Sequence, residues 1–596
     1  MQSGAHVLTA AMFCLVVGSH VGAQVAIGTR VDAPFTDLRW QDRRIADLGP
    51  HAAIVIYFAT VECPMVRRYI PRLGEIAQAY SGRDVVTVVA NVGAGDGFVD
   101  AAAQVAEFAP AAIFAKDSDL QLARACGVDR TGAVVVLDRD RTLRYRGRID
   151  DQHGFATNRA EVARSDLRKS LDEVLAGQAV TIPETAITGC RLTPPPSVDA
   201  GHVPTYLRDV VPILASHCAT CHSGDAAAPF SLTNEVDVRK HAMMIAEVVG
   251  NGRMPPWPAA STSEGFVNRR GLTLVERETI RLWVAGGMPR GEAVDSGFRN
   301  HPMMPEWSNG RPDLILDAKE SLAVPATGSL PYQYFELPHV FDRETWVESV
   351  EVRSKAGRTL HHCNVACLPS GAPFAARAIV CNAVPHGRHL ACEAGTAVRI
   401  PAGSVLMLQA YYVPSGQPEL DRLCVGLRFP RVPVQRERRV AIATNEDFEI
   451  PAGASSHPVS ASLTLPEDAV GLSLFAHMNV RGRDVTVVAA TPEGARRTLL
   501  VVPNYDFASQ ETFVWQQGVR LFTRGTRIEA LAHFDNSAWN AANPDPKRIV
   551  RAGAANAEES LMVFLAWVEE DQMLGLRIDP ATGMCVGSLG DFHPGK

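Results

Sequence analysis

Ile54-Val55-Ile56-Tyr57-Phe58, followed shortly by Thr60-Val61-Glu62-Cys63-Pro64, is the stretch from which the N-terminal part of this chain is read. Five consecutive apolar residues bounded by a turn describe a buried strand. Cys63 falls where that strand turns into a helix, and a thiolate at a helix N-terminus is stabilised by the backbone dipole. Outward from there, residues 66–80 have helical apolar spacing, with a kink expected at Pro71. Val85-Val86-Thr87-Val88-Val89 is a second strand, and Val134-Val135-Val136-Leu137-Asp138 a third. Strands alternating with helices predict an α/β sheet.

The chain has 596 residues, which implies three or four domains. A net charge of −7 is mild and argues against a nucleic-acid surface. Residues 8–17 are apolar and Val21-Gly22-Ala23 is a small-residue cleavage site, so residues 1–23 read as a secretory signal. No later stretch reaches the length of a membrane span. The expectation is a soluble exported protein of a periplasm, where disulfides form. Its expected partners are redox proteins or a small reductant, with no nucleic acid.

The region 27–183 resembles the thioredoxin-like redoxin family, carried by the strands above, by Cys63 and by Tyr145-Arg146-Gly147-Arg148-Ile149-Asp150-Asp151 at its end. Two departures matter. Val66 stands where a thioredoxin has its second cysteine, and the turn expected to hold a cis-proline reads Thr131-Gly132-Ala133. Exchange through C-x-x-C is therefore not expected. Cys63 is the candidate for a one-cysteine peroxide-reducing or thiol-exchange site, with Cys126 or Cys190 as partner. Against this stands a buried cysteine in an inactive scaffold.

Residues 184–199 read as a linker, with Cys190 and the triple proline Pro194-Pro195-Pro196. Beyond it, Cys218-Ala-Thr-Cys221-His222 has the C-x-x-C-H spacing of covalent haem attachment, with His222 as proximal iron ligand. Met254, in Arg253-Met254-Pro255-Pro256-Trp257, suits the sixth position, with His241 and Met243 as rivals. Residues 200–295 are thus expected to form an all-α cytochrome c domain holding haem c.

From about 305 the pattern is short strands between Gly, Pro and Asn turns, which predicts two all-β antiparallel sandwiches, 305–452 and 453–585. His361 and His362 are adjacent on a strand. They would face opposite ways on a regular strand, so a shared metal needs a twist or bulge there. With Arg399-Ile400-Pro401-Ala402-Gly403, Ala476-His477-Met478-Asn479 and His533-Phe534-Asp535-Asn536, this half resembles the copper type II, ascorbate-dependent monooxygenases. The resemblance implies one copper per sandwich. His361, His362 and Tyr411 fall on the first ligand set and His477 on the second, where Asn479 and Ser560 replace the other ligands. Asn and Ser oxygens are poor replacements for such ligands. Cys363, Cys367, Cys381 and Cys392 are expected in disulfides, with thiolate ligation as the rival reading for Cys363, which directly follows His362.

The expected whole is a multidomain oxidoreductase. Haem would feed electrons to a copper centre for monooxygenase-like hydroxylation of a small molecule or peptide. The alternatives are a non-catalytic electron-transfer or ligand-binding protein, and a thiol peroxidase acting through Cys63.

Overall fold

The computed structural model describes residues 25–154, 158–193, 203–222, 228, 230–263, 265–292, 307–355, 359–383, 390–516, 518–553 and 557–588. The signal read at 1–23 lies outside them. So do the triple proline and the histidines at 386 and 389. The chain divides into two compact units. One comprises Met1–Phe35, Asp42–Val92 and Ala111–Thr193; the other comprises Thr36–Gln41, Gly93–Pro110 and Pro194–Lys596.

In the first unit, β1 (Ala53–Ala59) is buried along its whole length and leads into α1 (Pro64–Tyr80), which contains Pro71. β2 (Val85–Asn91), β3 (Ile113–Lys116), β4 (Val134–Asp138), β5 (Leu143–Gly147) and α2 (Asp166–Leu175) follow. These are five neighbouring strands of a seven-stranded sheet, in the order β3-β2-β1-β4-β5, with β5 at one edge. β1 pairs parallel with β2, and β2 with β3, whereas β4 runs antiparallel to β1 and to β5. This is the mixed α/β arrangement of a thioredoxin-like fold. It places the C-terminal end of β1, the start of α1 and the turn before β4 at one end of the sheet.

The second unit is mostly antiparallel sheet, and the expected all-α cytochrome c domain is not found. Residues 206–285 do carry helices: α3 (Val211–His217), α4 (Glu235–Lys240), α5 (Ala242–Gly250) and α6 (Leu274–Ala285). They pack on one another through Tyr206, Leu214, Val249, Ile280 and Trp283, with Cys218 against that cluster. The segment between α5 and α6 is stitched into the β structure. Val267 N donates to Val514 O at 2.9 Å, Asn268 Nδ2 donates to Thr512 O at 2.7 Å, and Phe266 stacks on Trp515. The helices are thus an appendage of the β-rich unit. The spacing of apolar residues showed helices but not what they lean on.

The β structure comprises β6 (Gln333–Glu336), β7 (Ser349–Ser354), β8 (Leu360–Pro369), β9 (Ile379–Ala383), β10 (Ser404–Tyr412) and β11 (Leu423–Arg428). It continues with β12 (Arg439–Asn445), β13 (His457–Thr464), β14 (Ala469–His477), β15 (Gly482–Ala490), β16 (Arg496–Val502), β17 (Arg527–Phe534) and β18 (Leu561–Glu569). One sheet runs β6-β10-β8-β9; another runs β13-β17-β15-β16; β18 lies between β12 and β14 in a third. Alternating side chains fill two cores, one around Val365, Leu408 and Val425 and one around Val487, Ala532 and Leu565.

The expected disulfides are absent among the described residues, whose cysteines are all free. Register explains part of this: Cys363 lies opposite Ala383, and Cys381 opposite Val365. No described helix is long and apolar enough to cross a membrane.

Candidate functional site

Cys63 is the N-cap of α1, with extended backbone and Pro64 beginning the helix. Proline suits that position because its missing N–H has no partner to lose. The residue is 3 % exposed. Its sulfur accepts a hydrogen bond from Thr131 Oγ1 at 3.1 Å and another from Cys190 Sγ at 3.6 Å. Burial pushes the Cys63 thiol up, but the Thr131 hydroxyl, the N–H groups of Val66 and Cys190 and the Cys190 thiol outweigh it, leaving it below the usual thiol range. Cys190 moves the other way, first because its S–H is held by Cys63 and then by burial. One sulfur is thus suited to be thiolate and its neighbour to remain thiol.

Thr131 organises the pair. Its hydroxyl donates to Cys63 and accepts the Cys190 N–H at 3.0 Å, while its own N–H donates to Cys190 O at 2.9 Å. Cys126 takes no part. It is fully buried, and burial holds its thiol far above the ordinary range. Tyr57 Oη, on β1, is buried without a hydrogen-bond partner, and burial and then the nearby Cys63 oppose its ionisation. Sequence reasoning missed Thr131 and Tyr57. Thr131 stood at the turn before β4 as a departure from a pattern, when its hydroxyl is the donor that the site uses.

The haem expectation is corrected. Among the described residues no group of three or more His, Cys, Asp or Glu side chains is placed to hold a metal ion. His222 donates Nδ1 to Phe230 O at 2.9 Å, and Met254 is 38 % exposed. His241 stacks on Phe230 while Met243 is exposed. Cys218 and Cys221 are thiols whose ionisation burial opposes, Cys218 being pushed up to about 12.

The two copper sites, and with them the copper-dependent monooxygenase, are corrected on the same finding. The bulge required for His361 and His362 exists, as a register shift between Leu360 and His362. It brings both rings to Tyr411 and Phe507, and His477 joins them, its ring 5.5 Å from that of His362. Four of the ring nitrogens have hydrogen-bonding partners. His361 Nδ1 faces His362 Nδ1 at 2.9 Å, His362 Nε2 meets the Tyr332 hydroxyl at 3.0 Å, and His477 Nδ1 meets Gln510 Oε1 at 2.9 Å. Instead of two ligand sets there is one buried, ring-packed cluster. Burial keeps His362 and His477 below the usual imidazole range. Asn479 holds Glu559 and the Glu558 carbonyl instead of a metal.

Residues 41–164 match the Redoxin family. Among solved structures, a hypothetical protein from Sinorhizobium meliloti 1021 is 26 % identical, over 28 % of this chain and 94 % of its own, with a TM-score of 0.26. An uncharacterized conserved protein from Geobacillus kaustophilus is 24 % identical, over 29 % and 94 %, with a TM-score of 0.27. A secreted Mycobacterium tuberculosis disulfide oxidoreductase homologous to E. coli DsbE is 19 % identical, over 24 % and 94 %, with a TM-score of 0.19. No curated protein matches the chain.

Proposed function

We propose that this protein is a thiol-based oxidoreductase whose working couple is Cys63 and Cys190. The observation that carries this is the 3.6 Å approach of the two sulfurs beneath one organising hydroxyl. The redoxin match over 41–164 supports the same chemistry.

The Cys63 thiolate attacks one sulfur of a substrate disulfide, R–S–S–R′, forming Cys63–S–S–R and expelling R′–S⁻, which takes up a proton. Cys190 gives its proton to solvent and attacks the Cys63 sulfur. The Cys63–Cys190 disulfide forms and R–S⁻ leaves. Two electrons pass from the pair to the substrate, and an external dithiol returns them. Closing the pair needs the sulfurs to move from 3.6 Å to about 2.05 Å. Cys63 is the nucleophile because its thiolate is favoured, and Cys190 resolves because its proton is retained until the first disulfide removes the charge beside it.

The test is a trapping experiment with glutathione disulfide. Cys190→Ser should accumulate glutathione on Cys63, seen as a mass increase on that peptide. The wild type should release the glutathione and keep a Cys63–Cys190 bond. Cys63→Ser should do neither. Equal glutathione retention in the wild type and Cys190→Ser would remove Cys190 from the couple. Hydrogen peroxide in place of the disulfide distinguishes the oxidant: a peroxidase would form the same bond at comparable rate.

A further inference from the structure

The residues around Cys190 are held in an unusual way. Leu192 N donates to Asp129 O at 2.9 Å and Thr131 N to Cys190 O at 2.9 Å, while Arg130 Nη1 reaches Gly189 O at 3.1 Å. Arg130 and Arg191 form an antiparallel bridge. Residues 190–192 therefore run antiparallel to 129–131, joined by that one bridge, along the segment that presents Thr131 to Cys63. The fit is close: a Cβ on Gly189 would fall inside the Thr131 carbonyl oxygen. Glycine is needed there for approach, not for a turn. The result is asymmetric. Cys190 is exposed, whereas Cys63 beneath the strand is buried.

We infer that residues 188–192 are a displaceable strap, occupying in cis the strand edge on which an extended, cysteine-bearing segment of a protein substrate docks. This rests on the Cys63–Cys190 reading above and deepens it. The strap is itself an extended cysteine-bearing segment, held largely by main-chain atoms, with its cysteine against Cys63. Any chain of that description can form the same Thr131 N–H and Asp129 carbonyl bonds. While the strap is docked it covers Cys63; when it lifts, the edge and the thiolate are uncovered together.

The test uses the full chain in the Cys190→Ser background, which cannot form the internal disulfide. Its outcome is thus independent of whether Cys190 resolves. The probe is an unstructured eight-residue peptide with one cysteine, activated as its thionitrobenzoate disulfide. A second copy carries N-methyl groups on the residues flanking that cysteine. The strap is loosened in two ways: Gly189→Ala introduces the clash, and Leu192→Pro removes the N–H given to Asp129. Mixed disulfide on Cys63 is followed by peptide mass mapping, and circular dichroism confirms that both variants stay folded. Both should accelerate peptide capture by about tenfold, the effect of losing one or two hydrogen bonds. The N-methylated peptide should be captured several-fold more slowly in every variant. Capture unchanged by both substitutions would show that the strap does not cover Cys63. Equal capture of the two peptides would show that the edge does not bind main chain. Either result overturns the inference.

Discussion

Thr131 Oγ1 donates to Cys63 Sγ at 3.1 Å, from a turn 68 residues further along the chain. A hydrogen bond to a charged sulfur stabilises the thiolate over the thiol. Replacing Thr131 with valine keeps the shape and removes the donor. The iodoacetamide reactivity of Cys63, followed against pH, should have its midpoint below the ordinary thiol value in the wild type and move upward in Thr131→Val. At neutral pH the rate should fall on the order of tenfold. An unmoved midpoint would show that the hydroxyl does not tune the sulfur. The same shift is a stability statement. A depressed thiol stabilises the fold above the ordinary thiol value, and that contribution is lost as pH falls through the folded one.

Cys126 separates the two partners open to Cys63. It is fully buried and its carbonyl accepts from Arg146 Nη1 at 3.0 Å. Cys126→Ala should leave the Cys63–Cys190 bond forming at the wild-type rate and cost about 1 kcal/mol of stability. In the native protein Cys126 should resist alkylation that it accepts in urea. Loss of the internal bond in Cys126→Ala would return Cys126 to the site.

Tyr57 carries a buried hydroxyl with no partner. Leaving such a group unmade is costly, so removing it is favourable. Tyr57→Phe should be neutral or more stable by about 1 kcal/mol in urea unfolding. A loss of that size would mean that the hydroxyl has a function in the folded state.

Glu559 is fully buried, accepts the N–H groups of Asn479 at 2.9 Å and Arg481 at 2.8 Å, and lies 3.7 Å from Arg481 Nη1. Burial nonetheless raises it to about 7. A carboxyl raised on folding holds its proton longer in the folded state. The stability linked to it is complete below the ordinary carboxyl range and falls as pH rises towards 7. The difference in unfolding free energy between wild type and Glu559→Gln should therefore decline between about pH 5 and pH 8, by on the order of 2 kcal/mol. A difference that is flat, or rises, would show that Arg481 and the backbone donors win over burial.

The first unit was legible because its signals are local. A continuous apolar run marks β1, and Cys63 stands where that run gives way to a helix. The sequence required a twist or bulge at His361 and His362 only if they shared a metal; the bulge is there, without the ligand set. The partner of Cys63 was harder. Cys190 sits in a stretch that reads as linker, and its place depends on main-chain pairing with residues some sixty positions earlier, which leaves no trace in composition. The metal expectations failed for a related reason. C-x-x-C-H and a histidine pair state which donors exist, not whether their nitrogens and sulfurs converge. In the folded chain Tyr332 meets His362 Nε2, Gln510 meets His477 Nδ1 and the Phe230 carbonyl meets His222 Nδ1.

The most direct measurement is the oxidised bond itself. The wild-type protein is equilibrated in glutathione buffers of graded potential, quenched with acid and alkylating agent, digested without reduction and mapped by mass spectrometry. One peptide pair, containing Cys63 and Cys190, should rise along a two-electron curve while Cys126 stays unpaired. Cys63 remaining a free thiol while Cys190 alone takes up glutathione would contradict it.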